Sequence, residues 1–307
     1  MYTKRNYSTA IISIAVVMIM ALAYFAYYRC QMNDAFKIKR RLPVTKVEYE
    51  DDELVLLDAA NLPANVTVDQ SLVLVNGDNP LPELFEADVV YYHDTDVLMN
   101  GALIDSYAEL SAAVSDRFDE KLYVESCYRT REHQQEIYEE SGPEIAAVPG
   151  TSEHETGLAL DVYVMYYAGA GFIDSKPGRF VNDNCEDYGF IIRYPRGEEE
   201  ITGFEFEPWH IRYVGFPHSD LIESCNLTLE DYVDRYKPGA WYRCDADDVS
   251  SIVVESASAA AGIPIDFWMI ARVPEDELKI PSEYLDCPMT ISPDNMGNVF
   301  ITIAVNE

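Results

Sequence analysis

The sequence predicts an α+β fold, with helices packed against a mainly antiparallel sheet, an N-terminal transmembrane helix and a small C-terminal β appendage. Three observations predict it. Leu110, Val114 and Phe118 recur at helical spacing, while Leu122 and Val124 alternate with polar neighbours as in a half-buried strand. Several short β-branched and aromatic runs lie between Pro- and Gly-containing turns towards the C-terminus. Near the N-terminus, an apolar run from Ala10 to Tyr28 is broken only by Ser13.

That run is long enough to cross the ~30 Å hydrocarbon layer of a bilayer. Ala21-Leu22-Ala23 also fits a signal-peptidase site, but the apolar stretch continues through Tyr27 and Tyr28, which suit an interfacial belt. An uncleaved anchor over residues 1–28 is therefore expected, with secretion after cleavage as the alternative. Lys and Arg after the run would by charge alone draw that side inward, so placing the bulk of the chain outside the membrane rests on function. Residues 29–54 mix basic and acidic clusters with little periodicity and are expected to form a stalk.

The folded domain is expected over residues 55–236. Leu72 to Val75 reads as a strand closed by the turn residues Asn76-Gly77-Asp78-Asn79-Pro80. Ser106-x-x-Glu109 reads as a capping box opening a helix whose buried face carries Leu110, Val114 and Phe118. A strand then delivers Ser126-Cys127-Tyr128-Arg129, and Thr130 caps a helix that runs to about Glu140 before Gly142-Pro143 stops it. Leu158 to Val164 and Gly189 to Tyr194 supply further strands. Residues 237–307 read as a small β-rich appendage with strands at Ser251 to Glu255, Phe267 to Val273 and Val299 to Val305, and a hairpin turn at Asn295-Met296-Gly297-Asn298.

Composition narrows the function. The 307 residues are 48% hydrophobic, enough for a real core, and the 22 Lys and Arg against 54 Asp and Glu give a net charge of -32. Such a surface repels phosphate backbones, so a nucleic-acid partner is excluded as an expectation. Cys30, Cys127, Cys185, Cys225, Cys244 and Cys287 show no CxxC spacing, which argues against a cysteine zinc site and leaves disulfide pairing open.

A catalytic metal commonly takes three nitrogen or oxygen ligands and keeps a place for water, with a base nearby. Among five histidines, His154 lies seven residues before Asp161, and Gly157 allows the intervening backbone to fold back. His210 follows Glu207 by three residues, with Pro208 stiffening the segment, so a carboxylate can face water on a metal that His210 holds. Taken singly, a histidine in a turn and an aspartate beside a strand also fit solvated positions. His93, His133 and His218 have no ligand partners at convincing spacing. Asn65-Val66-Thr67 and Asn226-Leu227-Thr228 match a glycosylation pattern by chance.

The combination Ser152-x-His154-x-x-Gly157-x-Ala159-x-Asp161 followed by Glu207-Pro208-Trp209-His210 resembles the VanY-type D-alanyl-D-alanine carboxypeptidases. The resemblance extends to Val75-Asn76 with Asn79-Pro80-Leu81-Pro82, to Ser126-Cys127-Tyr128-Arg129, to Tyr188 through Pro195 and to Arg212-Tyr213-Val214-Gly215, over roughly residues 72–236. It implies the small zinc domain shared with VanX-type dipeptidases and, more distantly, the hedgehog signalling domain. By motif it implies zinc held by His154, Asp161 and His210, Glu207 as catalytic base, and Arg129 polarising the scissile carbonyl. Ser126, Ser152, Tyr128 and Trp209 are expected to line the substrate cleft.

The expected partners are peptidoglycan stem peptides, from which the C-terminal D-alanine is removed, and the cytoplasmic membrane through the N-terminal helix. An L,D-carboxypeptidase acting on tetrapeptide stems and a non-catalytic zinc-containing wall-binding module are the alternatives. Cys127 stands where the family usually has glycine; a positive φ at that position would strain the turn before Arg129.

Overall fold

The computed structural model describes residue 20, residues 38–143 and residues 145–307. Residues 1–38 and 39–307 are two separate units. The expected anchor and residues 29–37 of the expected stalk lie outside the described residues, apart from residue 20. Among the described residues no helix is long and apolar enough to cross a membrane.

Within residues 39–307, a four-stranded antiparallel sheet runs in the order Tyr123–Ser126, Ala159–Tyr163, His210–Tyr213, Phe190–Ile192. Leu160, Val162, Phe190 and Ile211 from these strands share a core with Tyr107, Leu110 and Val114, one stripe of the Ile104–Phe118 helix. Burying each such side chain contributes about 1.5–3 kcal/mol. The helix begins at Ile104 rather than at a Ser106 cap. Asn100 explains the difference: its side chain accepts from Ala102 N at 3.0 Å, starting a 3-10 turn over Gly101–Leu103 that feeds directly into the helix. The next helix, Arg131–Ser141, has the expected cap, with Thr130 Oγ1 accepting from His133 N, and ends at Gly142 with φ 80°.

Two expected strands take other forms. Leu72 to Val75 pairs with no strand; it is a buried connector whose Leu72 and Leu74 enter one apolar cluster while Val73 and Val75 enter another. Burial on both sides selects the apolar run there without any ladder. Ser251 to Glu255 opens the helix Ser251–Ala261, whose Val253 and Ala257 face the core four residues apart. The Ala-rich remainder of that segment favours helix over strand.

The C-terminal residues do not complete their sheet by themselves. A six-stranded sheet runs Thr45–Val47, Ala240–Asp245, Phe267–Pro274, Asn298–Val305, Met289–Pro293, Val66–Val68, so both its edges come from the N-terminal part of this unit. Residues 45–47, expected in a stalk, pair antiparallel with Trp241 to Arg243. The physical reason is that the central strands are apolar on both faces. Trp268, Ile270 and Phe300 pack with Leu229, Tyr232 and Val233, while Met269, Ile301 and Ile303 pack with Leu57 and Ile280. Such a sheet needs cover on each side. The expected hairpin forms at Asn295 and Gly297, with φ 65° and 79°.

Candidate metal centre

Strand register gathers the site. Ser126 lies opposite Asp161, and Asp161 opposite His210, which places three chemistry-bearing side chains in one cross-strand row. His154 joins them from the 3-10 turn Glu153–Thr156. Gly157 closes that turn at φ 71°, and an added Cβ would stand 2.7 Å from Val89 Cγ1 and 3.0 Å from Asn100 N. Only glycine meets both conditions.

His154 Nδ1 donates to the Cys127 carbonyl at 2.9 Å, which turns Nε2 towards Asp161 Oδ2 at 3.3 Å. His210 presents Nδ1 to Asp161 Oδ1 at 3.1 Å. One ligand atom from each of these three residues lies within 4.8 Å of the others. Asp161 Oδ1 is buried and makes no hydrogen bond despite that close nitrogen. Atoms so close yet unaligned for hydrogen bonding suit a shared cation: tetrahedral ligands about 2.1 Å from zinc lie about 3.4 Å apart. The donor set of two imidazoles and one carboxylate fits zinc.

Electrostatics agree. Burial alone would raise the Asp161 carboxyl, but His154 and His210 outweigh it and hold it well below the usual range. Burial lowers His154. The same burial acts on His210, yet the facing carboxylates of Asp161 and Glu153 raise it to about 9. Glu207, whose Oε2 is 3.6 Å from His210 Nδ1, is raised by burial, with Asp161 adding to the shift.

Arg129 faces the same centre. Its Nη2 is 3.5 Å from Asp161 Oδ2, while Ser126 Oγ accepts from Nε and Nη2 at 3.1 and 2.8 Å. Its third anchor is Gln134 Oε1 at 3.0 Å from Nη1. Gln134 is fully buried and donates in turn to the Ala147 carbonyl at 2.8 Å. Sequence reading missed Gln134, since a glutamine on a polar helix carries no signal of its own. The expected strain at Cys127 does not arise, because Cys127 is not among the residues with positive φ. Its contribution is a carbonyl that orients His154.

These groups line a cleft of about 550 Å³ whose walls include Ser126, Tyr128, Ser152 and Trp209 together with Tyr194 and Phe204. His133 also reaches this cleft as a wall residue but is not part of the ligand cluster, whereas His218 is buried elsewhere between Tyr232 and Thr302. His93 stays outside the cleft, beside Tyr92. Glu153, the residue before His154, is buried behind His210 and was also missed.

The family described as VanY, D-alanyl-D-alanine carboxypeptidase, matches residues 97–216. A D-alanyl-D-alanine carboxypeptidase of Enterococcus faecium is 37% identical over 183 residues, covering 54% of this chain and 58% of that protein. The match thus spans little more than half of that relative. The bifunctional D-Ala-D-Ala dipeptidase and D-Ala-D-Ala carboxypeptidase VanXYC of Enterococcus gallinarum is 34% identical over 180 residues, 53% of this chain and 94% of its own. Among solved structures, the D,D-dipeptidase VanXYg in complex with a D-Ala-D-Ala phosphinate analog superposes with a TM-score of 0.62 at 26% identity, over 85% of this chain and 99% of that one. With His154, Asp161 and His210 clustered and Glu207 and Arg129 beside them, these similarities settle the family: the chain belongs to the VanY D-alanyl-D-alanine carboxypeptidases.

Proposed function

We propose that this protein hydrolyses the terminal peptide bond of peptidoglycan stem peptides and releases D-alanine. The carrying observation is that His154, Asp161, His210, Glu207 and Arg129 converge on one cleft of about 550 Å³. His154, Asp161 and His210 would hold zinc, which would supply the Lewis acidity that brings the pKa of water towards about 7. Glu207 takes the proton from the attacking water and returns it to the leaving amine. Its raised pKa suits both directions of that transfer. Arg129, steadied by Ser126 and Gln134, offers its guanidinium to the oxygen on which negative charge develops. Ser152, Tyr128 and Trp209 shape the wall against which the peptide lies.

The catalytic unit is placed outside the membrane, tethered by the apolar run of residues 10–28, because stem peptides are displayed there.

The test is a digest of defined tri-, tetra- and pentapeptide muropeptides, read by mass, with and without a chelator. Pentapeptide should lose one alanine, and Glu207→Gln should retain zinc while losing that activity. Shortening of the tetrapeptide instead would replace this reading with an L,D-carboxypeptidase. No cleavage of any stem by zinc-loaded protein would leave a wall-binding module.

A further inference from the structure

We infer that Glu153 is a positioning residue for the metal centre: its carboxylate fixes the ring of His210 so that Nδ1, rather than Nε2, faces zinc. This inference rests on the zinc-site reading only in taking His210 as a ligand.

Glu153 and His210 share an unusual relation. Glu153 Oε2 and His210 Nε2 are both buried without a hydrogen-bond partner, and they lie 3.6 Å apart. A buried carboxylate oxygen and a buried ring nitrogen left open towards each other are natural partners, since each is costly to leave unmet. Metal-bound imidazoles ordinarily donate their remaining N–H to an oxygen acceptor. His154 already follows that rule with the Cys127 carbonyl. For His210, Glu153 is the acceptor in reach.

The competing account is that Glu153 serves only as counter-ion to buried arginines. Its hydrogen bonds argue otherwise. Arg193 Nε and Arg212 Nη1 both donate to the same oxygen, Oε1, at 2.7 and 2.6 Å, with all three side chains at 0% exposure. A carboxylate acting only as counter-ion would share the two donors between its oxygens. Here both crowd one side and leave Oε2 to the histidine.

The arginines are themselves fixed. Glu230 holds Arg193 through two hydrogen bonds of 2.9 and 2.6 Å. Arg212 Nη2 donates to the carbonyls of Ser71 and Val73 at 3.0 and 2.8 Å. Two arginines thus balance two carboxylates, and the orientation of His210 is set by groups brought in from the buried connector and from the Leu229–Arg235 helix. A carboxylate held by two cations has little freedom to turn away from the imidazole.

The first test uses the unaltered zinc-loaded protein with ¹⁵N-labelled histidine. Nitrogen shifts and long-range proton couplings should show His210 carrying its proton on Nε2, slow to exchange with solvent, with Nδ1 bound to metal. Metal on Nε2, or an Nε2 proton exchanging as freely as one in water, would overturn the inference. The second test is Glu153→Gln, read by competition for zinc with a chelator. Affinity should fall on the order of 10- to 100-fold. A folded variant with unchanged zinc affinity would overturn the inference; where the variant fails to fold, the tautomer measurement decides alone. Neither readout uses a substrate, so both are independent of which bond the enzyme cuts.

Discussion

His218 offers a quantitative test of the packing behind the catalytic unit. Its ring is buried, with Nδ1 2.6 Å from Tyr232 Oη and Nε2 3.0 Å from Thr302 Oγ1, and burial lowers its pKa from 6.5 to about 3. A histidine depressed in the fold stabilises the protein while neutral. That stability falls as pH drops through the unfolded value, because the unfolded chain takes the proton first. Between pH 7 and pH 5 the loss is about 2 kcal/mol, and each further unit down to the folded value removes about 1.4 kcal/mol. Other groups move the opposite way. Glu186, raised to about 8 by burial and by Glu223, gains stability over the same interval as it protonates in the fold. The measurement is therefore a difference: urea unfolding of wild type and His218→Gln at pH 7, 6 and 5, under identical zinc conditions. Terms common to both proteins cancel, and the wild-type advantage should shrink by about 2 kcal/mol across the series. A difference independent of pH would refute the reasoning, since it would mean that His218 titrates alike in folded and unfolded chains.

Gly157→Ala should lower stability by about 1–3 kcal/mol, from its left-handed φ and the 2.7 Å approach to Val89, and should lower zinc content as the turn carrying His154 shifts. Thermal melting and metal analysis read both effects. Gln134→Leu should leave zinc bound but free the Arg129 guanidinium; losing an acceptor worth about 1–3 kcal/mol predicts a fall in kcat of about 5- to 150-fold, measured by D-alanine release. Arg129→Ala should cost about 10²–10³ in kcat with zinc retained, as does removal of an oxyanion donor elsewhere; an effect confined to KM would move Arg129 from the transition state to substrate binding.

How much of this was legible in the sequence follows from where each signal resides. His154, Asp161, His210 and Glu207 sit in two short segments, so residue type and spacing were enough to single them out. The helices at 104–118 and 131–141 were legible because a stripe of large side chains or a threonine cap acts within a few residues. The second sheet was only half legible: its long central strands read correctly, but its edges come from residues 45–47 and 66–68, far upstream. Three-residue strands carry too little periodicity to announce a partner some two hundred residues away. Leu72 to Val75 shows the reverse failure, an apolar run selected by burial on both sides and not by pairing.

The same distinction explains why the supports of the cluster were missed while its members were singled out. In a chain with 54 acidic residues, the sequence marks Glu153 no differently from the acids that solvate the surface. What separates it is burial between Arg193 and Arg212, and those arginines are brought to it by the pairing of Ala159–Tyr163 with His210–Tyr213 and of that strand with Phe190–Ile192. Gln134 follows the same logic, polar in sequence and fully buried in the fold. A metal ligand declares itself by the company it keeps along the chain. A residue that orients a ligand declares itself only by the atoms that close around it, and those are supplied by strand register and packing.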